Sequence, residues 1–392
     1  MRWATAISER DDTDRALEEV LTILSRRLEG PAQLALLFAT PDHQDAFDEL
    51  GARVLAGTRA SRLLGCSGSG VLAGGREVEQ RPALAVMAGV LPETRIESLH
   101  VEASQLPESP HDWHRRLRMT PEDQPQLLLL GDPFAFDPEA AIASLEAAYP
   151  GAPIVGGMAS GGLLPRTNAL FVDATTHRSG GAVLALSGNV RIDPVIAQGC
   201  RPVGDTMLVT SCDGHVIHAL DSAPPGEVLQ RLAESLAPED LELLRDSLFL
   251  GVEMKNQREY AAGDFLIRNI LGLQADGHAL AVATLVERWQ AVQFHLRDDV
   301  ASRQDLEAQL ERFREQAPTP PRAALLFSCV GRGAQLYGEP HHDSRRFQEI
   351  VGEMPLAGFF CNGEIGPVGG RTYLHGYTSA FAMIGPRSTI RS

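Results

Sequence analysis

Three stretches of this chain share one pattern, and that repetition constrains the fold more than any single motif. Each opens on an aliphatic run: residues 34–38 (LALLF), 126–130 (QLLLL) and 324–327 (ALLF). A helical stretch follows each run, near 44–51, 138–149 and 344–351. A second strand then runs into small residues: Leu64-Gly65-Cys66-Ser67-Gly68, Val155-Gly156-Gly157-Met158-Ala159 and Gly358-Phe359-Phe360-Cys361-Asn362-Gly363. A further alternating strand closes each copy at 83–88, 181–186 and 378–384. Unbroken aliphatic strands joined to helices imply sheets covered by helices, and the repetition implies duplicated strand-helix-strand units. The fold class is therefore mixed α/β, with mixed sheets and two domains. Glycine admits positive φ or a close backbone approach, so the three strand ends suit a shared ligand crevice. Tight strand-to-strand turns explain them equally well.

The rest of the chain supplies boundaries. Residues 3–8 read as a strand, with Asp14 capping a helix whose apolar face is Ala16, Leu17, Val20, Leu21, Leu24 and Leu28. Gly30-Pro31 ends it. The four prolines within 106–126 read as a loop, and so does 317–321. Between the second and third copies the texture changes to consecutive strands. Residues 207–210 and 216–220 flank Asp213-Gly214 as a hairpin, with more strands at 265–268, 280–286 and 292–296. Helices are expected after Pro224-Pro225 and over 299–314. A boundary near 193–204 gives domains at 1–200 and 201–392.

Composition excludes several classes. Asp and Glu number 51 against 35 Lys and Arg, a formal charge of −16, which disfavours nucleic acid and anionic membrane surfaces. No apolar run approaches the ~20 residues of a membrane span. Acidic residues precede any apolar stretch at the N-terminus, so no signal peptide is expected. Five Cys without CxxC spacing fit reduced thiols and a cytoplasmic location.

Tests for chemistry narrow the field. Gly65-Cys66-Ser67-Gly68-Ser69-Gly70 is neither a dinucleotide fingerprint nor a nucleophile elbow, and no Walker lysine follows. Cys66, Cys329 and Cys361 end strands; each is a nucleophile if its pKa is lowered, or a small buried hydrophobe. His341-His342-Asp343 lacks helical metal-pair spacing and reads as a solvated loop. No metal site is supported, while haem stays open because a single axial ligand leaves no pattern. Arg268 and Arg332 stand in or just past apolar strands, and Glu364 follows Asn362-Gly363. These charges suit a zwitterion or an internal ion pair.

At these residues the sequence resembles the FIST family, the paired N- and C-terminal domains regarded as small-ligand sensory modules. The blocks are 64–72 with 74–79, Gly156-Gly157, 264–272, 296–298, 327–333, 357–367 and Leu374-His375-Gly376-Tyr377-Thr378. The resemblance implies ligand sensing, with an amino acid as ligand, and output through a signalling protein in trans. A haem-based nitric-oxide sensor and a cysteine-dependent enzyme on a small amide or amino-acid-like substrate are the alternatives. In eukaryotes the module can be joined to an F-box. No catalytic residues carry over. The expected ligand site comprises Cys66, Ser67, Gly68, Gly156, Gly157, Arg268, Cys329, Arg332, Cys361, Asn362, Gly363, Glu364, His375 and Thr378. The arginines would meet an anionic group, and Glu364 with Asn362 a cationic one.

Overall fold

The computed structural model describes residues 1–387 apart from 256, 258 and 262. The chain forms two compact units. Unit 1 takes Met1–Ala197, Glu307–Leu374 and Thr378 onward; unit 2 takes Gln198–Leu306 with His375–Tyr377. The spatial division thus differs from the sequence division at 200, because the third repeat packs with the first two.

In chain order, the first repeat is β1 (Arg2–Ser8), α1 (Thr13–Arg27), β2 (Leu34–Ala39), α2 (Phe47–Thr58), β3 (Arg62–Ser67), β4 (Gly70–Ala73), β5 (Arg76–Glu79) and β6 (Leu84–Val90). The second is β7 (Thr94–Val101), α3 (Pro110–Leu117), β8 (Gln126–Gly131), α4 (Pro138–Ala148), β9 (Ile154–Met158), β10 (Leu170–Val172), β11 (Thr175–His177) and β12 (Gly181–Gly188). The third opens with β13 (Arg191–Gln198) and is then interrupted. The inserted stretch holds β14 (Cys200–Asp213), β15 (Val216–Leu220), α5 (Pro225–Ser235), α6 (Pro238–Asp246), β16 (Leu248–Glu253), β17 (Phe265–Leu273), β18 (Leu280–Val282), β19 (Ala291–Arg297) and α7 (Asp299–Gln316). The third repeat resumes with β20 (Ala323–Cys329), α8 (Ala334–Tyr337), α9 (His342–Val351), β21 (Leu356–Cys361), β22 (Glu364–Val368), β23 (Arg371–His375) and β24 (Thr378–Gly385).

Unit 1 contains three sheets of one design: β1-β6-β2-β3-β10-β11, β7-β12-β8-β9-β22-β23 and β13-β24-β20-β21-β4-β5. The inner pair of each is parallel, as a strand-helix-strand crossover requires. The closing strand returns antiparallel beside the first. The hairpin that follows each second strand leaves its own sheet. β4–β5 joins β21, β10–β11 joins β3, and β22–β23 joins β9. Each repeat thereby completes the sheet of another, in a closed cycle of three.

The burial pattern follows from this. Alternate residues of all three sheets, among them Leu36, Phe38, Leu128, Leu130, Leu325 and Phe327, share one inner core. The opposite face of the first sheet packs Ala35, Leu37 and Leu63 under α1 and α2, and that of the second packs Leu127 and Leu129 under α3 and α4. Strands covered on both faces have no polar side, which is why they read as unbroken aliphatic runs.

Three local expectations need correction. Residues 106–126 hold a helix, because Pro110 sits at its first turn, where no N–H is required, and Ser109 caps it by accepting from Asp112 N. Its Trp113 and Leu117, four apart, are buried. The cap of α1 is Asp12, which accepts from Arg15 N, while Asp14 lies inside the first turn. The helix expected at 44–51 begins as a 3-10 turn and runs on to Thr58.

Unit 2 is a closed barrel, β14-β15-β18-β17-β16-β19, in which neighbouring strands run antiparallel throughout. Val209, Ile217, Leu250, Val292 and Phe294 fill it, with Val228 and Leu232 of α5 packed against them. Among the described residues, no helix is long and apolar enough to cross a membrane.

Candidate functional site

The glycines of the second strands serve strand packing. Gly65, Gly156 and Gly358 lie opposite Leu37, Leu129 and Leu326 in the three parallel ladders. A Cβ there would sit 1.9, 1.8 and 1.8 Å from the partner's carbonyl oxygen. The close approach that demands glycine is thus strand to strand. The strand ends do gather in unit 1: a Cβ on Gly157 would lie 2.5 Å from Cys361 Sγ, and one on Gly68 2.9 Å from Phe359 Cβ. Cys66 and Cys361 belong to the shared inner core, and Cys329 is buried beside Cys361 in register. Burial pushes the Cys66 thiol well up. Burial, and then the charge of Glu364, does the same to Cys361. A buried, protonated thiol is a poor nucleophile.

Around these ends the polar groups are tied to backbone. Ser67 Oγ accepts from Ala169 N at 3.1 Å and donates to Asn168 Oδ1 at 3.4 Å. Asn168 also accepts from Gly162 N and donates Nδ2 to Asp132 Oδ1. One amide side chain thus serves both Gly162 and Ser67, which fixes the loop between β9 and β10 against the end of β3. The sequence gives no sign of this role for Asp132 and Asn168, both buried. Asn362 is exposed, and its N–H donates to Met158 O while Met158 N donates to Gly363 O. Gly363 has φ +130, and this turn leads the chain from β21 into β22, which pairs with β9. Glu364 is wholly buried, opposite Gly157, and accepts from Thr378 N at 3.1 Å.

A buried polar cluster surrounds Arg332. This side chain is 0% exposed, and its Nε donates to Asp343 Oδ2 at 3.0 Å. Its guanidinium also bonds the Tyr337 hydroxyl. Ser379 Oγ donates to Asp343 Oδ2 at 2.6 Å and Ser328 Oγ at 3.2 Å. Burial opposes both charges, but each partner more than offsets it: the pKa of Arg332 is raised and that of Asp343 lowered. Beside the pair, Glu77 of β5 accepts from Ser344 N and its own N–H donates to His341 Nδ1. Burial, with the charge of Asp343 second, pushes Glu77 up to about 8. Its Oε2 has no partner among the described residues. His342 and Asp343 are therefore buried in the first turn of α9, which corrects the solvated loop expected there. The position of Arg332 just past a buried strand was legible in sequence; its partner Asp343 was not.

Arg268 and His375 belong to unit 2. Arg268, half-buried on β17, donates to Ile267 O at 3.3 Å. The ladder of β14 with β19 jumps from Val203↔Phe294 to Met207↔Val292, so residues 204–206 bulge out. Bulges recur beside functional sites. Here the bulge borders a cleft of about 380 Å³ lined by Asp205, Asp221, Arg231, Leu232, Met207 and Phe294, among others. A second cleft of about 490 Å³, in unit 1, is lined by Tyr149, Arg191 and Arg387 with several prolines. Those arginines are engaged, Arg191 with Asp193 and Arg387 with Gln124 and Val190.

The FIST N domain matches residues 33–223 and the FIST C domain residues 227–367. The uncharacterized protein Rv0628c of Mycobacterium tuberculosis (strain H37Rv) is 36% identical over 386 residues, 98% of this chain and 99% of its own. The uncharacterized protein Mb0898c of Mycobacterium bovis is 32% identical over 388 residues, 98% of each chain. F-box only protein 22 of Homo sapiens is 32% identical over 99 residues, 25% of this chain and 22% of its own. With both domain models matched in order across most of its length, the chain belongs to the FIST family.

Proposed function

We propose that the protein is a non-catalytic sensory protein that binds a small zwitterion such as an amino acid and passes its occupancy to a signalling partner in trans. The observation that carries this reading is the cleft of unit 2. Its volume of about 380 Å³ falls within the range of small-molecule sites. Apolar residues form part of its lining, and Arg231, Asp205 and Asp221 add both signs of charge. A carboxylate would meet the Arg231 fork and an ammonium the acids, with an aliphatic side chain against Leu232 and Phe294. Family membership supports ligand sensing as the role. Burial of Cys66 and Cys361 as protonated thiols weakens the cysteine-enzyme reading.

Native mass spectrometry of the gently purified protein, followed by calorimetry with the common amino acids, tests this. One unmodified ligand per chain is expected, with R231A and D205N weakening it at least tenfold. R268A tests the strand-borne arginine: loss in R268A with none in R231A relocates the ligand. Absence of binding by every amino acid overturns the zwitterion reading, and a Soret band after haem addition would favour a haem sensor.

A further inference from the structure

Two edge strands of unit 1 occupy equivalent places. Ser8 pairs with Leu84, which pairs with Ala39; Val101 pairs with Gly181, which pairs with Gly131. Ala39 and Gly131 end the equivalent strands β2 and β8. Glu9 and Glu102 are therefore one position in two repeats, each a single residue past its edge strand. Their surroundings differ. Glu9 is held by two permanent cations, Arg76 and Arg81. Glu102 accepts from Ser179 Oγ at 3.0 Å and otherwise faces imidazole, with His100 Nε2 at 3.9 Å. His100 and His177 stack with centroids 3.5 Å apart and planes 9° from parallel. One ligand atom from each of His100, Glu102 and His177 lies within 4.8 Å of the others.

Two imidazoles and a carboxylate form a donor set for borderline divalent ions, with a fourth position left for water. We infer that His100, His177 and Glu102 form a binding site for a first-row divalent transition ion of the zinc type. The ion supplies the positive charge that two arginines supply to Glu9, and it staples β7 to β11, the edges of two different sheets. Burial, with His100 second, lowers the pKa of His177. Loading trades the hydrogen bond from His100 Nε2 to Ser179 O, 2.8 Å as it stands, for a metal bond, and the imidazole proton moves to Nδ1. The rings must splay from parallel so that their lone pairs converge at about 2.0–2.1 Å from the ion.

The test is titration of the full-length, chelator-stripped protein with Zn²⁺ by calorimetry and with Co²⁺ by visible absorption. One ion per chain is expected, with a Kd on the order of 1 μM or tighter and Co²⁺ bands of a tetrahedral site. H177A should weaken binding at least about 100-fold and E102Q at least about tenfold, with apo melting temperatures near wild type. H218A, on an exposed position of unit 2, should bind as wild type. Wild-type protein that takes up neither ion at about 0.1 mM overturns the inference, as does binding unchanged in H177A. Should H177A fail to fold, unchanged affinity in E102Q decides against it.

Discussion

Gly65→Ala, Gly156→Ala and Gly358→Ala make one experiment performed three times in the same molecule. In each, the new methyl would start within 1.9 Å of a backbone carbonyl oxygen. An ordinary carbon–oxygen contact needs about 3.3 Å, so the parallel strands must part by roughly 1.4 Å. That stretches a ladder bond of about 2.9 Å beyond 4 Å, where it no longer holds. Leaving one buried backbone group unpaired costs about 1–3 kcal/mol, and the displaced core adds about 1–3 kcal/mol. Each substitution should therefore cost about 2–6 kcal/mol. At about 2–4 °C per kcal/mol for a large domain, the melting temperature should fall by about 4–24 °C. Calorimetry and urea unfolding read this, with Gly272→Ala as control, since nothing lies within 4 Å of a Cβ there. Three variants melting within about 2 °C of wild type would refute the packing account. One tolerant variant among three would refute the equivalence of the repeats.

Other outcomes follow from the buried charges and thiols. Arg332→Met should destabilise by about 3–5 kcal/mol by stranding Asp343, and Arg332→Met with Asp343→Leu should recover part of that, by urea unfolding. Glu77 has a folded pKa raised to about 8 from 4.5. The native state then binds the extra proton between those values, so this group lowers stability as pH rises from about 4.5 to 8. Glu77→Gln should remove that slope, and the difference between variant and wild type in urea midpoints at pH 5 and pH 8.5 measures it. Iodoacetamide should label the half-buried Cys200 and Cys212 readily, and Cys66 and Cys361 only after unfolding, as mass spectrometry of the peptides would show.

The aliphatic first strands of the repeats were legible because burial on both faces leaves them no polar side. The closing strands and the hairpin of β14 with β15 were legible from their patterns. The exchanged hairpins were not. β10 and β11 have three residues each, and the partner that orders them lies in another repeat, beyond the reach of local periodicity. The same non-local contact hid Glu77. Arg76-Glu77-Val78-Glu79 carries three charges in four residues, with no local sign that Glu77 is buried where β5 meets α9. Glycine positions were plain in sequence, but a ligand and a neighbouring carbonyl demand the same residue. The strands of unit 2 were visible as consecutive, while closure into a barrel depends on β14 meeting β19, far apart in the chain.

The cyclic hairpin exchange sets the number of repeats. A linear array can gain or lose a copy at its ends, and its terminal copies need special capping. Here there are no ends: removing one repeat leaves one sheet short of its outer hairpin and another hairpin with nothing to join. Growth by a further copy would require breaking one junction, such as β4 with β21, and remaking it on the new copy. A cut at residue 200 would likewise separate β4 from β21 and β9 from β22, leaving bare strand edges of the kind that drive aggregation. The division at 200 thus cuts through unit 1, whose sheets are completed only by strands from both sides of it.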